Sequence, residues 1–296
     1  MHDQADQPAS PPTDNPHTWQ ARYWNSAATA PWVSLQTRLD ELLASLTRVA
    51  LDRAAPAPGE QVLDVGCGCG DTALALAHRV SASGRVEGVD ISAQMLARAR
   101  ERVAAGDFPQ VALTLADASS HAFGPAVFDL IFSRLGVMFF GDPVSAFANL
   151  RRALRASGRL VFVCCRTPAE NGYITAAVRT ALPLLPAGAV PVPGPDQPGM
   201  FSFADPARVR RILEGAGFRE VELTAHDEPM RLAGPGGAAD AADFSIQFGP
   251  LTRVLDEVAP ARRSEILAAI TETYRQLEGP EGVVLPGAFW IVAARP

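Results

Sequence analysis

The chain has 296 residues, with 32 acidic against 26 basic side chains, a net charge of −6 and 48% hydrophobic residues. That composition excludes intrinsic disorder for most of the chain, and its acidic balance lacks the positive footprint of a phosphate-backbone binder, so no nucleic-acid partner is expected. Its longest apolar runs, such as Leu160 to Cys165, are strand-sized and fall far below the roughly 18 residues of a bilayer-crossing helix, so no membrane partner is expected either.

Residues 1–18 read as a disordered tail dominated by Pro, Asp, Gln and Ser. The start has neither a positive cluster nor an apolar run, so it does not read as a secretory leader, and the expected location is cytoplasmic. Residues 19–58 form an N-terminal helical segment. Within it, Leu35, Leu39, Leu42, Leu43, Leu46 and Val49 recur at three- and four-residue steps, predicting one helix from Pro31 to about Arg53, stopped by Pro56-Ala57-Pro58-Gly59.

From Gln61 the pattern alternates between strands and helices, which implies an α/β fold: a Rossmann-like, doubly wound, mainly parallel sheet of seven strands covered by helices on both faces. Strands are predicted at Gln61–Val65, Arg85–Asp90, Gln110–Ala116, Val127–Ser133 and Arg159–Cys165. Helices fall at Asp71–Val80, at Ser92–Ala105 with Ser92 as N-cap, and at Asp142–Ala156 with Pro143 in the first turn and Gly158 past the end. This core occupies residues 59–167, and residues 168–296 complete the sheet. Pro183 to Gly199 reads as a long loop, Asp205–Gly215 as a helix, and Phe218–Thr224 as a strand. A glycine-rich linker then leads into helices at Asp240–Val258 and Ala261–Leu277, and a strand at Ala288–Ala294 closes the chain.

The chemistry concentrates in Val62-Leu63-Asp64-Val65-Gly66-Cys67-Gly68-Cys69-Gly70, an apolar strand running into alternating glycines and then a helix. Glycines let a ligand approach the backbone closely, and the helix N-terminus behind them supplies free N–H groups. The dinucleotide fingerprint wants Gly or Ala where this chain has Asp71, while its glycine falls one position early at Gly70. Asp64 at the strand end disfavours a pyrophosphate and favours an ammonium. A second strand ends in Asp90 about twenty residues on, where a carboxylate can accept both ribose hydroxyls. A nucleoside with an amino-acid tail satisfies all three features.

These residues resemble the class I S-adenosylmethionine-dependent methyltransferases, motif by motif over Gln61 to Arg166 and more loosely in the closing strands. The resemblance implies that Asp64, Gly66, Cys67, Gly68 and Gly70 cradle the methionine part of S-adenosyl-L-methionine, the product being S-adenosyl-L-homocysteine. It further implies that Asp90, with Ile91, holds the ribose, and that Asp117, with Ala118, meets the adenine. Phe128 to Arg134 matches the fourth strand, with Ser133 among the implied cofactor-binding residues, and Ala156-Ser157-Gly158 stands where most members carry Pro-Gly-Gly. Tyr23-Trp24-Asn25 and Trp32 resemble the aromatic N-terminal segment of the ubiquinone-biosynthesis-like subset, implying that Tyr23, Trp24 and Trp32 close over the cofactor.

The implied reaction is methyl transfer to a small-molecule acceptor by a monomer or homodimer. Arg134 and Arg166 follow the carboxyl ends of central strands and, with His121, are the candidate catalytic groups; the two arginines lean toward an anionic acceptor. Met138, Phe139 and Phe140 read as core. Segments at about 171–199 and 238–280 read as acceptor-covering insertions, with Ile174, Leu182, Leu184, Phe201, Phe244 and Phe248 as their apolar content. Cys67, Cys69, Cys164 and Cys165 read as reduced thiols, and no metal is expected, because the first and fifth strands are separated by the fourth and lie roughly 10 Å apart. Rival readings are an NAD-linked oxidoreductase and a non-catalytic cofactor-binding protein.

Overall fold

A computed structural model describes residues 16–191, 194, 196–232, 236–247 and 249–296. Most of the predicted tail, the centre of the glycine-rich linker and Phe248 lie outside the described residues.

Strands β1 (Gln61–Val65), β2 (Arg85–Asp90), β3 (Val111–Leu115), β4 (Phe128–Arg134) and β5 (Leu154–Cys165) pair in parallel in the order β3-β2-β1-β4-β5. Antiparallel strands β6 (Arg219–Arg231) and β8 (Gly282–Arg295) continue the sheet as β5-β8-β6, and the two-residue β7 (Glu278–Gly279) folds onto the start of β8. Seven strands therefore form the main path, and β7 makes an eighth. The central strands read as unbroken apolar runs because both faces are covered: Val62, Leu63, Leu130, Ile131, Phe132, Leu160 and Phe162 are all fully buried. Chain order reverses between β1 and β4, so a crevice opens at the carboxyl ends of these two strands, the usual ligand position in an open α/β sheet.

Helices α4 (Asp71–Val80), α5 (Ala93–Gly106), α6 (Pro143–Ala153) and α8 (Pro206–Gly215) cover the sheet. Three of them begin at side-chain caps: Ser92 accepts from the Met95 N–H, Asp142 from Ser145 and Asp205 from Ala207. Ahead of the core lie α1 (Pro16–Trp24), α2 (Pro31–Ser34) and α3 (Gln36–Ala54); α1 thus begins inside the predicted tail. The single helix predicted from Pro31 is broken at Leu35, where φ is −98° and ψ 12°. Beyond that break α3 buries Leu39, Leu43, Leu46 and Ala50 on the core.

Helices α7 (Gly172–Ala181), α9 (Gly237–Gln247), α10 (Leu251–Asp256) and α11 (Pro260–Leu277) pack as a second layer, with α9 and α11 on α7 and on β8. A buried hydroxyl pair, Ser245 Oγ and Tyr274 Oη at 2.9 Å, joins α9 to α11. The predicted helix Asp240–Val258 is two helices, since Gly249-Pro250 interrupts it. Arg38 fastens this layer to α3. It donates to both Asp240 carboxylate oxygens at 2.9 and 2.8 Å and lies 4.1 Å from the Phe244 ring centroid.

Candidate functional site

The glycine loop is shaped by backbone geometry that side chains resist. Gly66, Gly68 and Gly70 have φ of +72°, +53° and +89°. A Cβ on Gly66 would stand 2.9 Å from the Gly136 Cα, so the β1 and β4 turns touch backbone to backbone. The Gly66 and Cys67 N–H groups both donate to the Val89 carbonyl, at 2.8 and 3.2 Å, which pins the loop to β2. Gly70 caps α4 and packs on Ala99, behind the loop's open face.

Asp90 closes β2 beside this loop. Its Oδ2 accepts from the Gly68 N–H and its Oδ1 from the Ser92 N–H, both at 2.8 Å. Burial nevertheless outweighs these bonds and raises the carboxyl above its ordinary range. At the end of β3, Asp117 Oδ1 accepts from the Ser119 N–H at 2.9 Å and from its hydroxyl at 2.5 Å.

A cavity of about 180 Å³ lies over these groups. Its wall includes Gly66, Cys67, Gly68, Asp90, Ile91, Asp117 and Ala118, and its roof includes Trp24 and Trp32. The two indoles meet edge-to-face with centroids 5.8 Å apart, and Trp24 meets Phe139 in the same manner at 5.1 Å. The Asn25 amide group ties this roof to the rim, donating to the Ile91 carbonyl and accepting from the Ala93 N–H, each at 2.9 Å.

Other expected residues stand elsewhere. Asp64 is fully buried and is not part of the cavity wall; Thr72, which is, donates to its Oδ2 at 2.6 Å, and its Oδ1 has no hydrogen-bond partner among the described residues. Burial pushes this carboxyl up to about 7. Ser133 is also fully buried, donating to the Val65 carbonyl at 2.7 Å and so holding β4 to β1. Arg134 does line the cavity, but its Nη1 meets Asp71 at 2.6 Å and Thr47 at 2.5 Å. Arg166 lies in a separate groove lined by the segment after β5 and by the paired strands β6 and β8, held by Glu170 and by Asp227 at 2.7 Å, with Trp290 5.3 Å away. His121 is outside the wall, its ring edge-on to Phe123 at 4.8 Å.

The cysteines do not converge. Cys67 lies against Gly88; burial pushes the Cys69 and Cys165 thiols up to about 12 and raises those of Cys67 and Cys164 well above the ordinary thiol value. All four therefore keep their protons near neutral pH. Among the described residues no group of three or more His, Cys, Asp or Glu is placed to hold a metal.

The expected insertions contribute little to the wall. Tyr173 represents 171–199, Met200 follows it, and no described residue of 238–280 takes part. Helix α3 supplies the missing side, through Gln36, Leu39, Asp40, Leu42 and Leu43. Met138, Phe139 and Phe140, expected as core, also face the cavity while packing on the core cluster. The signal for α3 was present in the sequence: Gln36 and Asp40 are polar residues set into an apolar stripe at helical spacing.

Residues 62–158 match the family model described as a methyltransferase domain. The chain is 33% identical over 122 residues to aklanonic acid methyltransferase from Streptomyces sp. (strain C5), a match covering 41% of this chain and 56% of that protein. It is 28% identical over 264 residues to nocamycin O-methyltransferase from Saccharothrix syringae, covering 86% and 93%. The chain thus spans little more than half of the first relative's length. Among solved structures, phosphoethanolamine N-methyltransferase 2 from Haemonchus contortus, in complex with S-adenosyl-L-methionine, shares the fold at a TM-score of 0.51 and 20% identity, covering 85% of this chain and 52% of that one.

Proposed function

We propose that this chain is a class I S-adenosylmethionine-dependent methyltransferase, as its match to a methyltransferase domain at residues 62–158 supports, and that it methylates a small molecule bound under the N-terminal roof. The observation that carries the reading is the glycine loop joined to Asp90 at the point where strand order reverses. Each Asp90 oxygen already accepts one backbone N–H and keeps a lone pair for a ribose hydroxyl. A Cβ at Gly66 would meet the Gly136 backbone, so glycine there lets the turns after β1 and β4 close on each other along the cavity wall.

The cofactor supplies an electrophilic methyl group on a sulfonium centre. The protein's contribution is to align the acceptor behind that methyl and to exclude water. Trp24, Trp32, Leu39, Met138, Phe139 and Tyr173 give the rest of the wall an apolar, aromatic character, which suits an acceptor with an apolar body. The related methyltransferases named for aklanonic acid and nocamycin support a small-molecule acceptor over a protein or RNA. Because Asp71 meets Arg134, the acceptor needs no negative charge to offset that arginine. Among the described residues no histidine lines the wall, which favours an acceptor atom that is nucleophilic near neutral pH, such as a carboxylate, thiolate or free amine.

Transfer of a labelled methyl from S-adenosylmethionine to a panel of apolar small molecules tests this proposal. Fluorescence titration with NADH against S-adenosylhomocysteine separates it from the oxidoreductase alternative, for which tight NADH binding is the required result.

A further inference from the structure

One carboxylate on the cavity wall has no part in the reading above. Asp40 projects from α3, a helix outside the matched residues 62–158, and lies on the wall with Gln36, Cys69 and Asp71. We propose that Asp40 receives the ammonium of the cofactor's amino-acid tail, which makes α3 a determinant of which adenosyl compounds bind. The inference rests on the cofactor reading just given and concerns the charge at one end of the same cavity.

Sheet order fixes which end that is. Asp90 and Asp117 close β2 and β3, so a nucleoside held there occupies the β3-β2 side, and its tail runs toward β1 and β4. On that side the wall carries Asp71, Arg134 and, across from them on α3, Asp40.

The charges there are unequally matched. Arg134 donates to Asp71 at 2.6 Å, which leaves that acid satisfied. Arg102 is divided, donating to the Cys69 carbonyl at 2.8 Å, meeting Asp40 Oδ2 at 2.9 Å and standing 4.0 Å from Asp71. Gln36 also donates to Asp40 Oδ2. Oδ1 of Asp40 receives no hydrogen bond from a described residue, and the side chain keeps 19% of its exposure. Burial and the nearby Asp71 carboxylate together raise the Asp40 carboxyl above its ordinary range, so an arriving cation relieves a repulsion already present. Asp64, the acid that the motif suggests for this task, sits behind Thr72 and out of the wall.

Calorimetric titration of the full chain and of Asp40→Asn tests the assignment with three probes: S-adenosylhomocysteine, its deaminated analogue, and 5′-methylthioadenosine, which has the same nucleoside and no amino-acid tail. A charged hydrogen bond of ordinary strength predicts that Asp40→Asn binds S-adenosylhomocysteine roughly tenfold or more weakly. Its affinity for methylthioadenosine and for the deaminated analogue is expected to stay within about twofold of wild type, since the amine is the group the substitution addresses. Unchanged binding of S-adenosylhomocysteine by the variant overturns the inference. So does a parallel loss for methylthioadenosine, which would make Asp40 a packing residue of α3. Asp40→Ser is read in the same way if the asparagine variant does not fold. Wild type that binds all three probes equally refutes only the role of Asp40, whereas wild type that binds none of them refutes the cofactor reading itself.

Discussion

Replacing Asp64 with asparagine tests a carboxyl buried without a counter-charge. Thr72 supplies one hydrogen bond and Arg134 a more distant attraction, yet both are outweighed by desolvation, and the group reaches about 7 from an ordinary 3.8. The folded state therefore prefers the neutral form. As pH rises above about 4 the unfolded chain ionises while the folded chain keeps its proton, so stability present in acid is lost progressively until the folded group also ionises near pH 7. Between pH 5 and pH 8 this loss is about 2–3 kcal/mol. Asparagine keeps the size and the contact with Thr72 and cannot ionise, so it removes that slope. Urea denaturation of both proteins at pH 5, 6, 7 and 8 isolates the contribution of this carboxyl. Taking the difference between the two curves cancels contributions common to both, including Glu60 and Asp129, whose carboxyls are held low by hydrogen bonds that include those from Arg159 and Arg155 and so act in the opposite direction. The variant is expected to gain on wild type by about 2–3 kcal/mol from pH 5 to pH 8. Curves that stay parallel within about 0.5 kcal/mol would refute the reasoning.

Gly66→Ala combines left-handed strain of about 1–2 kcal/mol with a clash against the Gly136 backbone, whereas Gly136→Ala meets the Val65 carbonyl at 2.8 Å and the Gly66 Cα at 3.0 Å from a right-handed backbone. Denaturant midpoints should place Gly66→Ala below Gly136→Ala by about 1–2 kcal/mol, and equal losses would remove the strain argument. Tyr274→Phe leaves the Ser245 hydroxyl buried and unmatched, a cost of about 1–2 kcal/mol; adding Ser245→Ala should recover part of it, and a double variant showing the full sum of the single losses contradicts the pairing. Arg166→Ala should leave S-adenosylhomocysteine affinity unchanged by calorimetry, because its groove is separate from the cavity; a severalfold loss would mean that the two regions are coupled.

The parallel half of the fold was legible because its signals are local. Gln61–Val65, Arg85–Asp90 and Asp71–Val80 fall where strand runs, glycines and a helix start place them. The antiparallel half was less so. β6 runs to Arg231 and β8 starts at Gly282, well beyond the short predicted strands, and both stretches contain proline. The register resolves this: Pro229 lies opposite Pro286, where β6 is the sheet edge and β8 has passed the end of its pairing with β5. Likewise α6 stops at Ala153, short of the predicted Ala156, because the Val127 N–H takes the Ala153 carbonyl and Leu154 pairs with Phe128. At the site, the glycine loop, Asp90 and the tryptophans were readable as a pattern. The face that α3 turns to them was marked only by Gln36 and Asp40 within its apolar stripe; that this face meets the cavity is decided by packing that spans the whole sheet.

The central claim is that the bare glycine loop and Asp90 together hold an adenosyl compound. Calorimetric titration of S-adenosylhomocysteine into wild type and Asp90→Ala tests it most directly. Saturable binding to wild type is expected, weakened roughly tenfold or more in the variant as two hydroxyl contacts are lost. Absence of heat with wild type, or undiminished affinity in Asp90→Ala, would contradict it.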